Sequence, residues 1–130
     1  MSHGIVHFEI PADDPAALAD FYKGLFGWTI EKMDMGGSEY WSIMTVPVDD
    51  KFVPTEPGIN GGMMKRQMPG QMPTNYVNVE SVDEYTTKAQ SLGATLIVSK
   101  MPVPGMGFFT VVQDPQGNPF GIWQDDPSAA

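Results

Sequence analysis

A chain of 130 residues, 42% hydrophobic and 18% charged, is long enough for one packed core and too short for two, so 1–130 reads as a single globular domain. Seven basic residues against sixteen acidic ones leave a net charge of −9, which argues against nucleic acid as a partner. No apolar run approaches a membrane span, the N-terminus lacks a basic-then-apolar leader, and the lack of cysteine removes disulfides and thiolate chemistry; a cytoplasmic protein with no membrane partner is expected.

The first strand is read from Ile5. Val6, Phe8 and Ile10 alternate on one side and should take a helix, which leaves His7 and Glu9 on the other. Asp14 can cap the helix that follows, and Pro15 suits its first position, where no amide donor is needed. Leu18, Phe21, Tyr22 and Leu25 form the expected buried stripe, and Gly27 is the expected left-handed C-cap. Strands are expected over 28–33 and 40–46 around a Met35-Gly36-Gly37-Ser38 turn. A Pro-rich loop then leads to a short strand at 61–66, and 67–73 joins the halves.

The second half follows the same plan. A strand from Thr74 precedes a capping box in which Ser81 is followed three residues on by Glu84. Val82, Tyr85, Ala89 and Leu92 make the expected stripe of its helix. Strands at 94–103 and 108–113 flank a Pro104-Gly105 turn; Asp114-Pro115-Gln116-Gly117 is a second tight turn, and 118–124 closes the unit. Residues 125–130 are expected to be a mobile tail. The fold class is therefore α+β: two βαβββ modules, about 4–66 and 74–124, forming a curved mixed sheet around a central cup.

Three segments, HFEIPADDPAALADFYKGLFGW, NVESVDEYTTKAQSLGATL and FFTVVQDPQGNPFGIWQ, resemble the glyoxalase/bleomycin-resistance/extradiol-dioxygenase (vicinal oxygen chelate) superfamily in the right order. The resemblance implies a cup in which metal-dependent members hold a divalent ion with His, Gln or Glu from the first and last strand of each module. Carried over, these positions fall on His7, Thr74, Gly121 and the Gly61-Gly62-Met63-Met64 stretch, so His7 alone offers a usable ligand. No cofactor is therefore expected, with a divalent metal at His7 as the alternative.

His7 suits proton transfer or ligand orientation, and Glu9, a carboxylate on a partly apolar face, is a candidate base or cation partner; both are candidate catalytic groups. Against this stands a purely structural role for the pair. Met44, Met64, Tyr76, Asn78, Phe108, Gly121 and Trp123 are the expected ligand-lining residues, the glycines leaving room for a bulky organic molecule. The resulting expectation is a protein binding a small, neutral or cationic organic ligand in an apolar cup, as bleomycin-resistance proteins do, and pairing as a homodimer. The alternative is a metal-dependent lyase, isomerase or dioxygenase using His7.

Overall fold

The computed structural model describes residues 2–34 and 39–130. The expected turn at Met35-Gly36-Gly37-Ser38 lies outside them. The chain divides into two compact units, His7–Pro73 and the segment ending at Val6 together with Thr74–Ala130. Each is a βαβββ module, and the expected α+β architecture is present.

Module one contains β1 (Ile5–Ala12), α1 (Pro15–Phe26), β2 (Thr29–Asp34), β3 (Glu39–Met44) and β4 (Gly61–Lys65), with strand order β2-β3-β4-β1. β1 and β4 run parallel, and the other two pairings are antiparallel. The first helix starts where its sequence says it should: the Asp14 carboxylate accepts from Ala17 N at 3.1 Å, and Pro15 follows. It stops at Gly27, whose φ of 71° is left-handed. The core lies between α1 and the sheet, where Ala12, Ala19, Ile30, Trp41, Ile43 and Met63 are buried. Complete burial of Ile43 and Met63 contributes roughly 1.5–3 kcal/mol each. Tyr22 stacks on Trp28 with ring centroids 5.0 Å apart and completes that layer.

The helical stripe differs from the expected one. Phe21 and Leu25 are each 57% exposed, because the helix turns Pro15, Leu18, Ala19 and Tyr22 to the sheet. The third strand ends at Met44 rather than Val46. There Asn60 Oδ1 accepts from the backbone amides of Thr45 and Val46, at 2.7 and 3.1 Å, replacing the ladder with a side-chain acceptor.

Module two contains β5 (Thr74–Asn78), α2 (Val82–Ser91), β6 (Thr95–Val103), β7 (Gly107–Gln113) and β8 (Pro119–Asp125), ordered β5-β8-β7-β6. Again the first and last strands of the module are parallel neighbours. Ser81 Oγ accepts from Glu84 N at 3.1 Å and caps α2. Val79, Val82, Val112 and Ile122 form the core beneath the helix. Leu92, expected in that stripe, is 72% exposed, since the helix ends at Ser91 and turns the residue away.

The C-terminal residues are not the expected free tail. Ala129 is buried, its carbonyl accepts from Gly105 N at 2.7 Å, and Asp126 N donates to Met106 O at 2.8 Å. The segment is hydrogen-bonded to the β6–β7 turn. Among the described residues no helix is long and apolar enough to cross a membrane.

Candidate functional site

Strand alternation in module one gives two faces. Phe8, Ile10 and Ala12 enter the core under α1, which sends His7 and Glu9 to the opposite face. The parallel register sets Glu9 against Gly62 on β4, and Gly62 in turn sits against Ser42 on β3. Tyr40 is two residues from Ser42, so it shares this face and reaches diagonally over Gly62. Its hydroxyl lies 3.0 and 3.1 Å from the two oxygens of Glu9, its one proton shared between them. His7 Nε2 lies 3.0 Å from Glu9 Oε1 and 3.3 Å from the Tyr40 hydroxyl. Because the carboxylate only accepts, the proton of the His7–Glu9 bond comes from the imidazole.

The Glu9 side chain is 13% exposed and that of His7 35%, so the carboxylate is the inner member and the imidazole the outer. Hydrogen bonds to a shielded carboxylate are charge-assisted and stronger than neutral ones. Tyr40 was not among the sequence candidates. Its alternation with the buried Trp41 and Ile43 was the signal that could have put it on the face opposite α1.

Gly62 makes this arrangement possible. A Cβ added there would overlap Oη and Cζ of Tyr40 and stand 2.8 Å from Glu9 Oε2. Met64, the register partner of Tyr40, and Met44, on the same strand as Tyr40, lie on the same face and are half-buried. Met63, between them in sequence, is instead core filling beneath α1.

Module two repeats the plan with different side chains. Tyr76 is the register partner of Gly121, and Asn78 that of Trp123. Phe109 meets Tyr76 edge-on at 5.9 Å between ring centroids. These residues occupy the face opposite α2, since their neighbours Val79, Val112 and Ile122 are under the helix. Gly121 is not an open space: a Cβ there would overlap the Tyr76 ring. The room expected from Gly61, Gly62 and Gly121 is filled by the protein's own Phe8, Tyr40 and Tyr76 respectively.

Phe108 is on the wrong side for the expected wall. It pairs with Gln124, whose Oε1 accepts from Val82 N at the start of α2, and the Lys100 ammonium stands 4.6 Å above its ring. The Asp114–Asn118 turn fixes this register, placing Phe109 rather than Phe108 opposite Trp123. The Trp123 indole donates to Asp125 at 2.7 Å, and among the described residues Asn78 Oδ1 is buried with no hydrogen-bond partner.

Two further hollows lie on the helix sides. One, of about 440 Å³, is bounded by Pro11, Asp14, Leu18, Phe21 and Arg66; the other, about 250 Å³ and apolar, lies beneath α2 between Val77, Tyr85, Leu92 and Phe120.

The donor set does not match a divalent metal centre. Among the described residues no three His, Cys, Asp or Glu side chains converge. In module one His7 and Glu9 supply two donors from a single strand, and the Glu9 oxygens already accept from Tyr40 and His7. Catalytic sites for such ions commonly use three protein ligands.

The glyoxalase-like domain family matches residues 6–123. The chain belongs to that family. It is 32% identical over 128 residues to the anthracycline biosynthesis protein DnrV of Streptomyces peucetius, an alignment covering 90% of this chain and 45% of that protein. The chain spans less than half the length of the curated relatives it matches. Its fold is shared with a glyoxalase/bleomycin resistance protein/dioxygenase superfamily member from Vibrio splendidus, at TM-score 0.65 and 14% identity over 96% of this chain and 100% of that one. It is shared equally with methylmalonyl-CoA epimerase from Mycobacterium tuberculosis, at TM-score 0.67 and 12% identity over 95% and 89%.

Proposed function

We propose that this glyoxalase-like protein binds a small organic molecule on the sheet face of module one opposite α1, without a resident divalent metal. The observation that carries the reading is the crowding of Glu9: its carboxylate accepts from His7 and from the single proton of the Tyr40 hydroxyl, which stands beside both oxygens, so an ion would have to compete with two neighbours of its own module for that carboxylate. Met44 and Met64 supply an adaptable apolar surface beside the polar group. His7, the more exposed member, is the group that meets a ligand.

The net charge of −9 favours a neutral or cationic molecule over an anionic one. Similarity to a protein named for anthracycline biosynthesis makes a polycyclic aromatic the first probe. Titrating an anthracycline aglycone and an amino-sugar glycoside of it, followed by calorimetry and tryptophan fluorescence, tests the reading. Micromolar binding weakened in Met64→Ala supports it; nothing tighter than millimolar across a wider aromatic and cationic panel ends it.

A second reading is favoured by the same half-buried carboxylate. An imidazole held by Glu9 and Tyr40 is arranged for metal-independent proton transfer to or from a bound carbonyl compound. Turnover lost in His7→Ala with ligand affinity retained distinguishes it from binding alone. The metal-dependent lyase or dioxygenase alternative has too few donors in module one.

A further inference from the structure

In each module a glycine on the last strand is covered by a tyrosine of that module: Tyr40 over Gly62, Tyr76 over Gly121. The two glycines occupy matching register positions, but the tyrosines come from different strands, Tyr40 from β3 and Tyr76 from β5, so it is Tyr40 over Gly62 that bears on the His7–Glu9 pair. Glu9 faces Gly62 across β1 and β4 as Tyr76 faces Gly121 across β5 and β8. We infer that Tyr40 stands where a metal ligand would have to stand: its hydroxyl, admitted by Gly62, closes the His7–Glu9 pair to divalent cations. The inference rests on the metal-independent reading above and deepens it.

The geometry gives the reason. A side chain at position 62 would project over the Glu9 carboxylate, within reach of the oxygens Tyr40 now binds. A carboxylate there would join His7 and Glu9 as a third donor, enough for an open-sided site. What the structure places there is a phenol, whose hydroxyl gives its proton to Glu9 and adds no carboxylate to the pair. A cation approaching Glu9 meets that hydroxyl beside both carboxylate oxygens and competes with its proton for them. Position 62 cannot acquire a carboxylate alone, because its Cβ would overlap the Tyr40 hydroxyl. Gly62 and Tyr40 therefore have to change together.

The test uses the full chain and two probes, Zn²⁺ and Ni²⁺, at neutral pH, read by calorimetry and equilibrium dialysis. Wild type, Tyr40→Ala and Gly62→Glu are each expected to bind no stoichiometric ion, and Gly62→Glu to lose thermal stability. The double variant Tyr40→Ala/Gly62→Glu is expected to take up one equivalent, at least about tenfold more tightly than any other form, and to lose it again when His7→Ala is added. One equivalent bound by wild type at His7 overturns both this inference and the metal-independent reading. A folded double variant that binds no better than wild type overturns the inference alone. If the double variant does not fold, Gly62→Ala is compared in the Tyr40 and Tyr40→Ala backgrounds. A fall in melting temperature confined to the Tyr40 background supports the coupling, and equal falls in both overturn it.

Discussion

The Tyr76 ring occupies the space directly over Gly121, so that a methyl group on that glycine would overlap Cδ2 and Cε2 and stand 2.6 Å from Cγ. Tyr76 is 7% exposed and meets Phe109 edge-on, so its ring is held on both sides. Gly121→Ala should therefore destabilise by about 1–3 kcal/mol through overpacking, although alanine is the smaller conformational burden in a strand. Urea unfolding measures it. In a Tyr76→Ala background the same substitution should cost little, and an unchanged cost would mean that Gly121 is required for some other reason.

A cap offers a cleaner test of local structure. The Ser81 hydroxyl oxygen is the acceptor for Glu84 N at the start of α2. Ser81→Ala should lower stability by about 1 kcal/mol and Ser81→Gly by only a few tenths. Chemical denaturation should show the difference in midpoint with no change in slope. A loss from Ser81→Gly equal to that from Ser81→Ala would assign the effect to packing instead.

The caps, and the helices and strands among the described residues, were legible because each rests on local chemistry: Asp14 and Ser81 before their helices, Gly27 after one, alternation along β1. The direction of His7 and Glu9 followed from the same alternation, since Phe8 and Ile10 need a core. What was not legible depends on register between strands. Tyr40 reaches Glu9 only because β4 separates β3 from β1 and carries a glycine at that crossing. Phe108 was misplaced for the same reason, one residue of register moving it to the α2 side. The pinned C-terminus was missed because a polar, Pro-containing ending gives no local hint of the carbonyl bond to Gly105.

Acid sensitivity should be readable at the β7–β8 turn. Donation from the Asn118 backbone, then from its side chain, holds the Asp114 carboxyl below its ordinary value of 3.8. Because the folded value is depressed, the stabilisation is present above the unfolded value and is lost as pH falls through the folded one. Asp114→Asn keeps a neutral acceptor at this position. The stability advantage of wild type over that variant should be constant above about pH 5 and shrink below pH 4. Denaturant midpoints across that window check it; an advantage that grows on acidification would contradict the assignment. The group is solvent-exposed, so the effect belongs to the turn and should be small and salt-sensitive.

The polar centre of module one should behave as a coupled unit. Tyr40→Phe keeps the ring and removes the hydroxyl proton shared between the Glu9 oxygens, leaving the 13%-exposed carboxylate with His7 as its side-chain donor among the described residues. An intact charge-assisted bond contributes more than a neutral one, and losing it from a shielded group should cost about 1–2 kcal/mol. Glu9→Gln removes the charge but keeps an amide oxygen and gains a donor, so its cost should be lower. If the hydroxyl acts through the carboxylate, Tyr40→Phe should cost distinctly less once Glu9 is already glutamine, giving a coupling of about 0.5–2 kcal/mol in the double-mutant cycle. Strict additivity would show that Tyr40 contributes by ring packing on Met64 and Gly62 rather than by holding Glu9, and His7 would then be oriented by its neighbour on β1 alone.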